Sequence, residues 1–198
     1  MPDVSPQTDA QAALAEAIHR LTPLDAERTQ RLVGLFQARH YGARAHVTLP
    51  GAGGHDVLFV VSGLLRFYYA TDDGRESNKA FVGEGGFAGP LAAAVLGTSF
   101  DYGVQALEAT RVLAAPYDAF SRLVESDTAY ERFTRRLTAQ LLAHKEQRTR
   151  SLLLESARER YESFMQTHAD LAQRVPLYHV ASYLGVTDVH LSRVRREQ

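Results

Sequence analysis

Three arginines, Arg193, Arg195 and Arg196, crowd into a short span behind a Gly185-Val186-Thr187 step, with His190 and Ser192 beside them. Guanidinium groups at this density suit phosphate oxygens, and one guanidinium can hold the O6 and N7 edge of a guanine bidentately. Such contacts need a rigid platform, and the neighbouring residues supply one. Leu177, Val180, Ala181 and Leu184 fall on one face of a short helix. Gly185 can take the left-handed conformation that ends it, Val186 packs behind, and Thr187 is a good N-cap for a second helix. That helix buries Leu191 and Val194 and turns His190, Ser192, Arg193, Arg195 and Arg196 outward. Helix, short glycine turn and basic helix form the helix-turn-helix pattern, whose second helix enters the DNA major groove. On spacing alone the alternative is a C-terminal helical hairpin with a solvated basic end.

Composition narrows the classes. The 198 residues are 45% hydrophobic, enough for a packed core and against global disorder. Without cysteine there is no disulfide, thiolate metal site or thiol redox chemistry. No apolar run is long enough to span a membrane, and MPDVSPQTDA has no secretory pattern, so a cytoplasmic protein without membrane partners is expected. The net charge of −1 hides an asymmetry: residues 1–127 carry 10 basic and 15 acidic side chains, residues 128–198 carry 12 and 8. An acidic body joined to a basic, nucleic-acid-binding end has this form.

Catalytic patterns are missing. The eight histidines (His19, His40, His46, His55, His144, His168, His179 and His190) show neither His-x-His nor His-Glu-x-x-His spacing. His46 and His55 flank a turn and could approach each other, but each histidine reads better as core or surface. There is no P-loop and no serine or cysteine nucleophile motif. We expect no enzyme activity, no metal and no cofactor.

The elements that position the basic end follow from periodicity. A helix over residues 9–20 carries Leu14, Ala17, Ile18 and Leu21 on one stripe, and Asp25 caps a second through about Ala38, with Leu32, Leu35 and Phe36 inward. From Tyr41 the pattern turns to strands. His46 to Leu49 lead to the PGAGG turn, Asp56 to Val61 and Leu64 to Ala70 are strands, and Thr71-Asp72-Asp73-Gly74 is a hairpin turn. Asn78 to Val82 and Tyr102 to Leu113 complete an antiparallel barrel or sandwich, with the glycine-rich GEGGFAG between them. After Pro116 the chain is helical: Tyr117 to Val124 with Phe120 inward, then a long helix over Thr128 to Leu153. Its Tyr130, Phe133, Leu137, Leu141 and His144 step by three and four, as a coiled-coil seam does, and a helix of about 25 residues reaches roughly 37 Å. A homodimer seam is therefore expected, with burial in the chain's own core as the alternative. Ser156 and Glu159 form a capping box for a helix with Tyr161, Phe164 and Met165 inward, and His168-Ala169-Asp170 is expected as a loop.

Taken in order, DVLFVVSGLLRFYYATDDGRE (Asp56–Glu76), EGGFAGP (Glu84–Pro90), VQALEATRVL (Val104–Leu113) and VASYLGVTDVHLSRVRRE (Val180–Glu197) resemble the Crp/Fnr family of bacterial transcription regulators. The resemblance implies an α+β fold: N-terminal helices, an antiparallel β-roll or jelly-roll barrel, a long dimerisation helix and a C-terminal helix-turn-helix. It divides the chain into an effector-sensing domain (1–127), the dimerisation helix (128–155) and a DNA-binding domain (156–198). It implies a homodimer on a pseudo-palindromic operator, with double-stranded DNA, a small-molecule effector and RNA polymerase as partners. Thr187, Asp188, Val189, His190, Ser192, Arg193, Arg195 and Arg196 would face DNA, and Tyr130, Phe133, Leu137, Leu141 and His144 the second copy. Gly89, Pro90, Phe100, Asp101, Leu141 and Lys145 would line the effector pocket.

The chain departs from the family in two places. Cyclic-AMP-binding members carry Gly-Glu-Leu and an Arg-Ser or Arg-Thr pair, whose Glu and Arg hold the ribose and the phosphate. Here Gly89-Pro90-Leu91 and Phe100-Asp101 stand in those places, so an effector other than cyclic AMP is expected. A shifted loop in which Glu84 and Arg111 substitute is a minor alternative. The sequence also ends at Gln198 without the β-hairpin wing, and Asp188-Val189 replaces the usual Arg-Glu, implying its own operator. The alternative function is an effector-binding barrel whose degenerate DNA domain serves only protein contacts.

Overall fold

A computed structural model of the chain describes residues 6–51, 56–89 and 101–196. Helix α1 (Pro6–Leu21) buries Leu14, Ala17 and Ile18, as its stripe requires. Helix α2 (Ala26–Gly34) is capped by Asp25, whose Oδ1 accepts from Arg28 N at 2.8 Å. It ends at Gly34, short of the Ala38 expected, because Gln37–Tyr41 leave as strand β1 and pair with a strand far along the chain. Residues 37–40 are all exposed, so no apolar alternation marks them as strand.

Strands β2 (His46–Thr48), β3 (Asp56–Ser62), β4 (Leu65–Ala70), β5 (Glu76–Val82), β6 (Phe87–Ala88), β7 (Tyr102–Ala106) and β8 (Thr110–Pro116) complete two antiparallel four-stranded sheets. Their orders are β1-β8-β3-β6 and β2-β7-β4-β5. The run DVLFVV is continuously apolar because both its faces are covered. Leu58 and Val60 point between the sheets with Phe67, Val104 and Val112, while Val57 and Phe59 point at the helices with Leu113 and Ala115. Strand β5 is an edge strand, and a bulge opposite Phe67 and Tyr68 shifts its register at Lys79.

Helix α3 (Tyr117–Glu125) leads into α4 (Thr128–Leu154), capped by Asp127, whose Oδ1 accepts from Ala129 N at 2.8 Å. Tyr130, Phe133 and Leu137 are 1%, 1% and 3% exposed and lie in one cluster with Leu14, Ile18, Phe59 and Phe120. The seam expected there is corrected: these three residues hold the long helix to the chain's own body. A three-and-four spacing looks the same whichever surface covers it. Helix α5 (Ala157–Thr167) starts at the capping box, with Ser156 and Glu159 bonded reciprocally. Tyr161 and Phe164 are buried, but Met165, expected inward, is exposed. The loop expected at His168–Asp170 is instead the start of α6 (Ala169–Arg174). Its Leu171 and Ala172 pack at the base of the C-terminal cluster. Helices α7 (Leu177–Leu184) and α8 (Asp188–Arg196) close the described chain.

Candidate nucleic-acid interface and effector cavity

Gly185 adopts φ 70° and ψ 33°, a left-handed geometry that a Cβ would strain. Its N–H reaches Ser182 O at 3.2 Å, and Val186 N reaches Ala181 O at 3.0 Å, which satisfies the last carbonyls of α7. Thr187 Oγ1 accepts from His190 N at 3.2 Å and caps α8. Leu191 and Val194 are buried with Val180, Ala181 and Leu184, which fixes α8 on α7. Thr187, Asp188, Val189, His190, Arg193, Arg195 and Arg196 are exposed and Ser192 is half-buried. All eight DNA-facing candidates thus lie on or at the head of one helix, and none of the three arginines is buried.

The C-terminal helices are docked on the barrel's edge strand. Ser182 Oγ accepts from Asn78 N at 2.9 Å, and Asn78 Nδ2 donates to His179 O at 3.0 Å and to His179 Nδ1 at 3.1 Å. Arg66, buried beneath, donates to Asn78 Oδ1 at 3.2 Å and pairs with Glu76 at 2.6 Å. Arg148 of α4 lies 4.1 Å from the Tyr183 ring centroid and donates to the carbonyls of Asn78 and Lys79. At the end of α6, Arg174 pairs with both Glu84 at 2.9 Å and Glu108 at 2.5 Å. These carboxylates raise the Arg174 pKa further, and Arg174 holds Glu84 below the usual carboxylate range. Glu84 also accepts from Gly63 N at 2.8 Å, so it is committed to this contact.

A cavity of about 810 Å³ lies between the barrel mouth, α4 and the C-terminal helices. Of the pocket candidates, Gly89, Leu141 and Lys145 line it. Pro90 and Phe100 fall outside the described residues. Asp101 is exposed near the mouth, where its charge bears on Lys79, Tyr69 and Tyr102. His144, expected on the dimer seam, is exposed and lines the cavity with Leu141.

Sequence reasoning missed Lys79, Arg148 and Tyr183 in this wall. Arg148 was within reach, since Leu141, Lys145 and Arg148 step by four and three along one helix face. Lys79 was not, because the bulge that turns it inward depends on the pairing with β4. Of the two histidines flanking the PGAGG turn, His55 lies outside the described residues. His46 Nδ1 is 3.1 Å from the Tyr68 hydroxyl. Among the described residues no cluster of three His, Asp or Glu side chains could hold a metal, and no helix is long and apolar enough to cross a membrane.

A two-sheet barrel, a long helix against its mouth and a turn-linked basic helix pair together define a barrel-coupled helix-turn-helix protein. Residues 38–127 match the family of the cyclic nucleotide-binding domain. A solved structure with this fold is a transcriptional regulator of the Crp/Fnr family from Eubacterium rectale, which matches with a TM-score of 0.70 at 17% identity, over 88% of this chain and 83% of its own. FixK2 from Bradyrhizobium japonicum matches with a TM-score of 0.71 at 21% identity, over 82% of this chain and 83% of its own. The c-di-GMP-responsive global regulator CLP from Xanthomonas campestris matches with a TM-score of 0.68 at 19% identity, over 87% and 91%. The catabolite activator protein of Thermus thermophilus gives 0.57 at 20% identity, over 91% and 85%. No curated protein matches by sequence. Residues 38–127 are thus similar to the cyclic nucleotide-binding domain, and the chain shares the fold of these solved structures.

Proposed function

We propose that this protein is a transcription regulator that binds a pseudo-palindromic operator as a homodimer and is controlled by a small molecule in the barrel cavity. In this reading residues 1–127 sense, 128–155 dimerise and 156–198 bind DNA. RNA polymerase is the partner through which the bound dimer acts. The observation that carries it is the exposed helix bearing Arg193, Arg195 and Arg196, capped by Thr187 behind the left-handed Gly185 turn.

Arg193, on the second turn, is the base-reading candidate, and Arg195 and Arg196 are phosphate contacts. In fluorescence anisotropy on promoter fragments, Arg193→Ala is expected to cost about 1–3 kcal/mol and to relax sequence preference. Arg196→Ala should weaken all fragments alike and lower the salt slope by about one. Binding without sequence preference that Arg193→Ala leaves unchanged would favour a protein-docking role for these helices.

The dimer face lies on the open side of α4. Leu142 and Leu153, 55% and 76% exposed, stand eleven residues apart and therefore share one helix face. Leu142 also borders the cavity, so a second copy would close it. Pairing there would set two recognition helices about 34 Å apart, one DNA turn. The double substitution Leu142→Glu and Leu153→Glu is expected to give a monomer in sedimentation velocity with unchanged helical content. A dimer that survives it places the interface elsewhere.

The effector we propose is not cyclic AMP, because Pro90 and the Phe100-Asp101 pair offer neither a ribose acceptor nor a phosphate cation. Calorimetric titration that detects micromolar cyclic AMP binding overturns this part.

A further inference from the structure

The effector cavity has a charge pattern of its own. Among the described residues, Lys79, Lys145, Arg148 and Arg160 line it against a single carboxylate, Glu155. That carboxylate is occupied, accepting from Ser151 Oγ at 2.6 Å and from Arg150 at 3.4 Å. Two of the cations are engaged as well, although Arg160 Nε has no hydrogen-bond partner among the described residues. Arg148 is bonded to the β5 carbonyls and stacked on Tyr183, and Arg160 donates to Leu152 O at 3.2 Å.

The lysines are different. Lys79 Nζ sits 3.7 Å from the Tyr102 ring centroid and 5.3 Å from that of Tyr69, and no carboxylate among the described residues pairs with it or with Lys145. Burial and the neighbouring Lys145 charge push the Lys79 pKa down to about 8, against the opposing pull of Asp101. Two like charges converging on one cavity raise each other's cost, and an anion between them removes it. Much of the remaining wall is apolar, with Phe67, Phe87, Phe120, Val82 and Leu141 on the barrel and helix sides, while Thr134, Thr138, Ser163, Thr167 and His168 add polar groups.

We propose that this cavity binds an amphipathic carboxylate, its head group between Lys79 and Lys145 and its apolar body against Phe67, Phe87, Phe120 and Leu141. This rests on the reading of the cavity as the sensing site and narrows the ligand to one chemical class. A metal cation is disfavoured by the same charges. Because Tyr183, Leu184 and Phe164 also line the cavity, an occupant touches the helices that carry the DNA face.

The test is calorimetry on the full chain with decanoate and, as its uncharged counterpart, decanol, both below their aggregation concentrations. Decanoate is expected to bind once per chain, about tenfold or more tighter than decanol, as an ionised hydrogen-bonded pair implies. Lys79→Met and Lys145→Met should each remove most of that difference and leave decanol unchanged. Lys79→Arg should restore it, and Leu141→Trp, which fills the cavity, should abolish both.

Lys79 faces Tyr69, Tyr102, Asp101 and Lys145, and burial pushes the two tyrosines up, away from the range in which Lys79 loses its charge. Wild-type affinity for decanoate should therefore fall as pH rises above about 8, and the Lys79→Arg profile should be flatter. Equal affinity for the two probes, no binding of either, or decanoate binding indifferent to both lysine variants overturns the proposal. The DNA reading fails separately: anisotropy that depends on Arg193 upholds it whatever decanoate does, and decanoate binding upholds the cavity assignment if DNA does not bind.

Discussion

Phe133→Ala is expected to destabilise the chain by about 3–5 kcal/mol and to lower its melting temperature by on the order of 10 °C. Self-association of the folded protein should be unaffected. Phe133 is almost wholly buried, and its ring meets Phe87 edge-on at 5.9 Å, while Phe87 meets Phe59 at 5.2 Å. This row of rings joins the long helix to the sheet behind it. Removing the middle contact of helix and barrel leaves a void that neither rigid element can collapse to fill. A residue on a dimer seam would behave in the opposite way, weakening association with little change in the protomer. Thermal unfolding and sedimentation velocity on the same sample separate the two, and a weakened dimer with unchanged unfolding would return Phe133 to the seam.

Acidification from pH 6.5 towards 4 is expected to loosen the C-terminal helices from the barrel by about 2–3 kcal/mol, at ~1.4 kcal/mol per pKa unit. Burial first, and the Arg66 guanidinium second, push the His179 pKa down to about 4, with Glu76 opposing. Arg66 donates to Asn78 Oδ1, so the amide nitrogen of Asn78 must face His179, and His179 Nδ1 must accept. A proton on Nδ1 would set donor against donor.

The released or unfolded histidine takes up its proton near 6.5, whereas the docked one resists until about 4. Undocking therefore gains a proton between these values, and stability falls as pH falls through the window and levels off below it. Urea unfolding across this range, followed by NMR of the His179 ring, should show the slope, and His179→Gln should flatten it. A His179 ring that titrates at the ordinary histidine value in the folded protein overturns the account.

Much of the fold is legible in the sequence, because its signals are local. The capping residues Asp25, Ser156 and Thr187 act within three residues of themselves, and the bonds expected of them are present. The Gly185 turn and the Leu191–Val194 face follow from the same short-range rules. What the sequence conceals is pairing at a distance. Strand β1 has no apolar alternation and exists because β8 offers its edge. Tyr130, Phe133 and Leu137 carry a pattern that fits either a partner or the chain's own core, and only the placement of α1 and β3 decides it. Arg174 and Glu108 are far apart in sequence and exposed enough to pass for solvated charge, yet they tie α6 to the barrel.

Arg148 holds two carbonyls of β5 and the ring of Tyr183 at once, and Asn78 reads the backbone and side chain of His179. The C-terminal helix pair is therefore not a freely exchangeable module. A chimaera that transplants residues 156–196 onto another regulator's barrel would arrive without its mating strand. Under the proposed function, re-targeting to a new operator calls for one of two routes: changing only the outward side chains of α8, or moving residues 76–82 and Arg148 together with the graft.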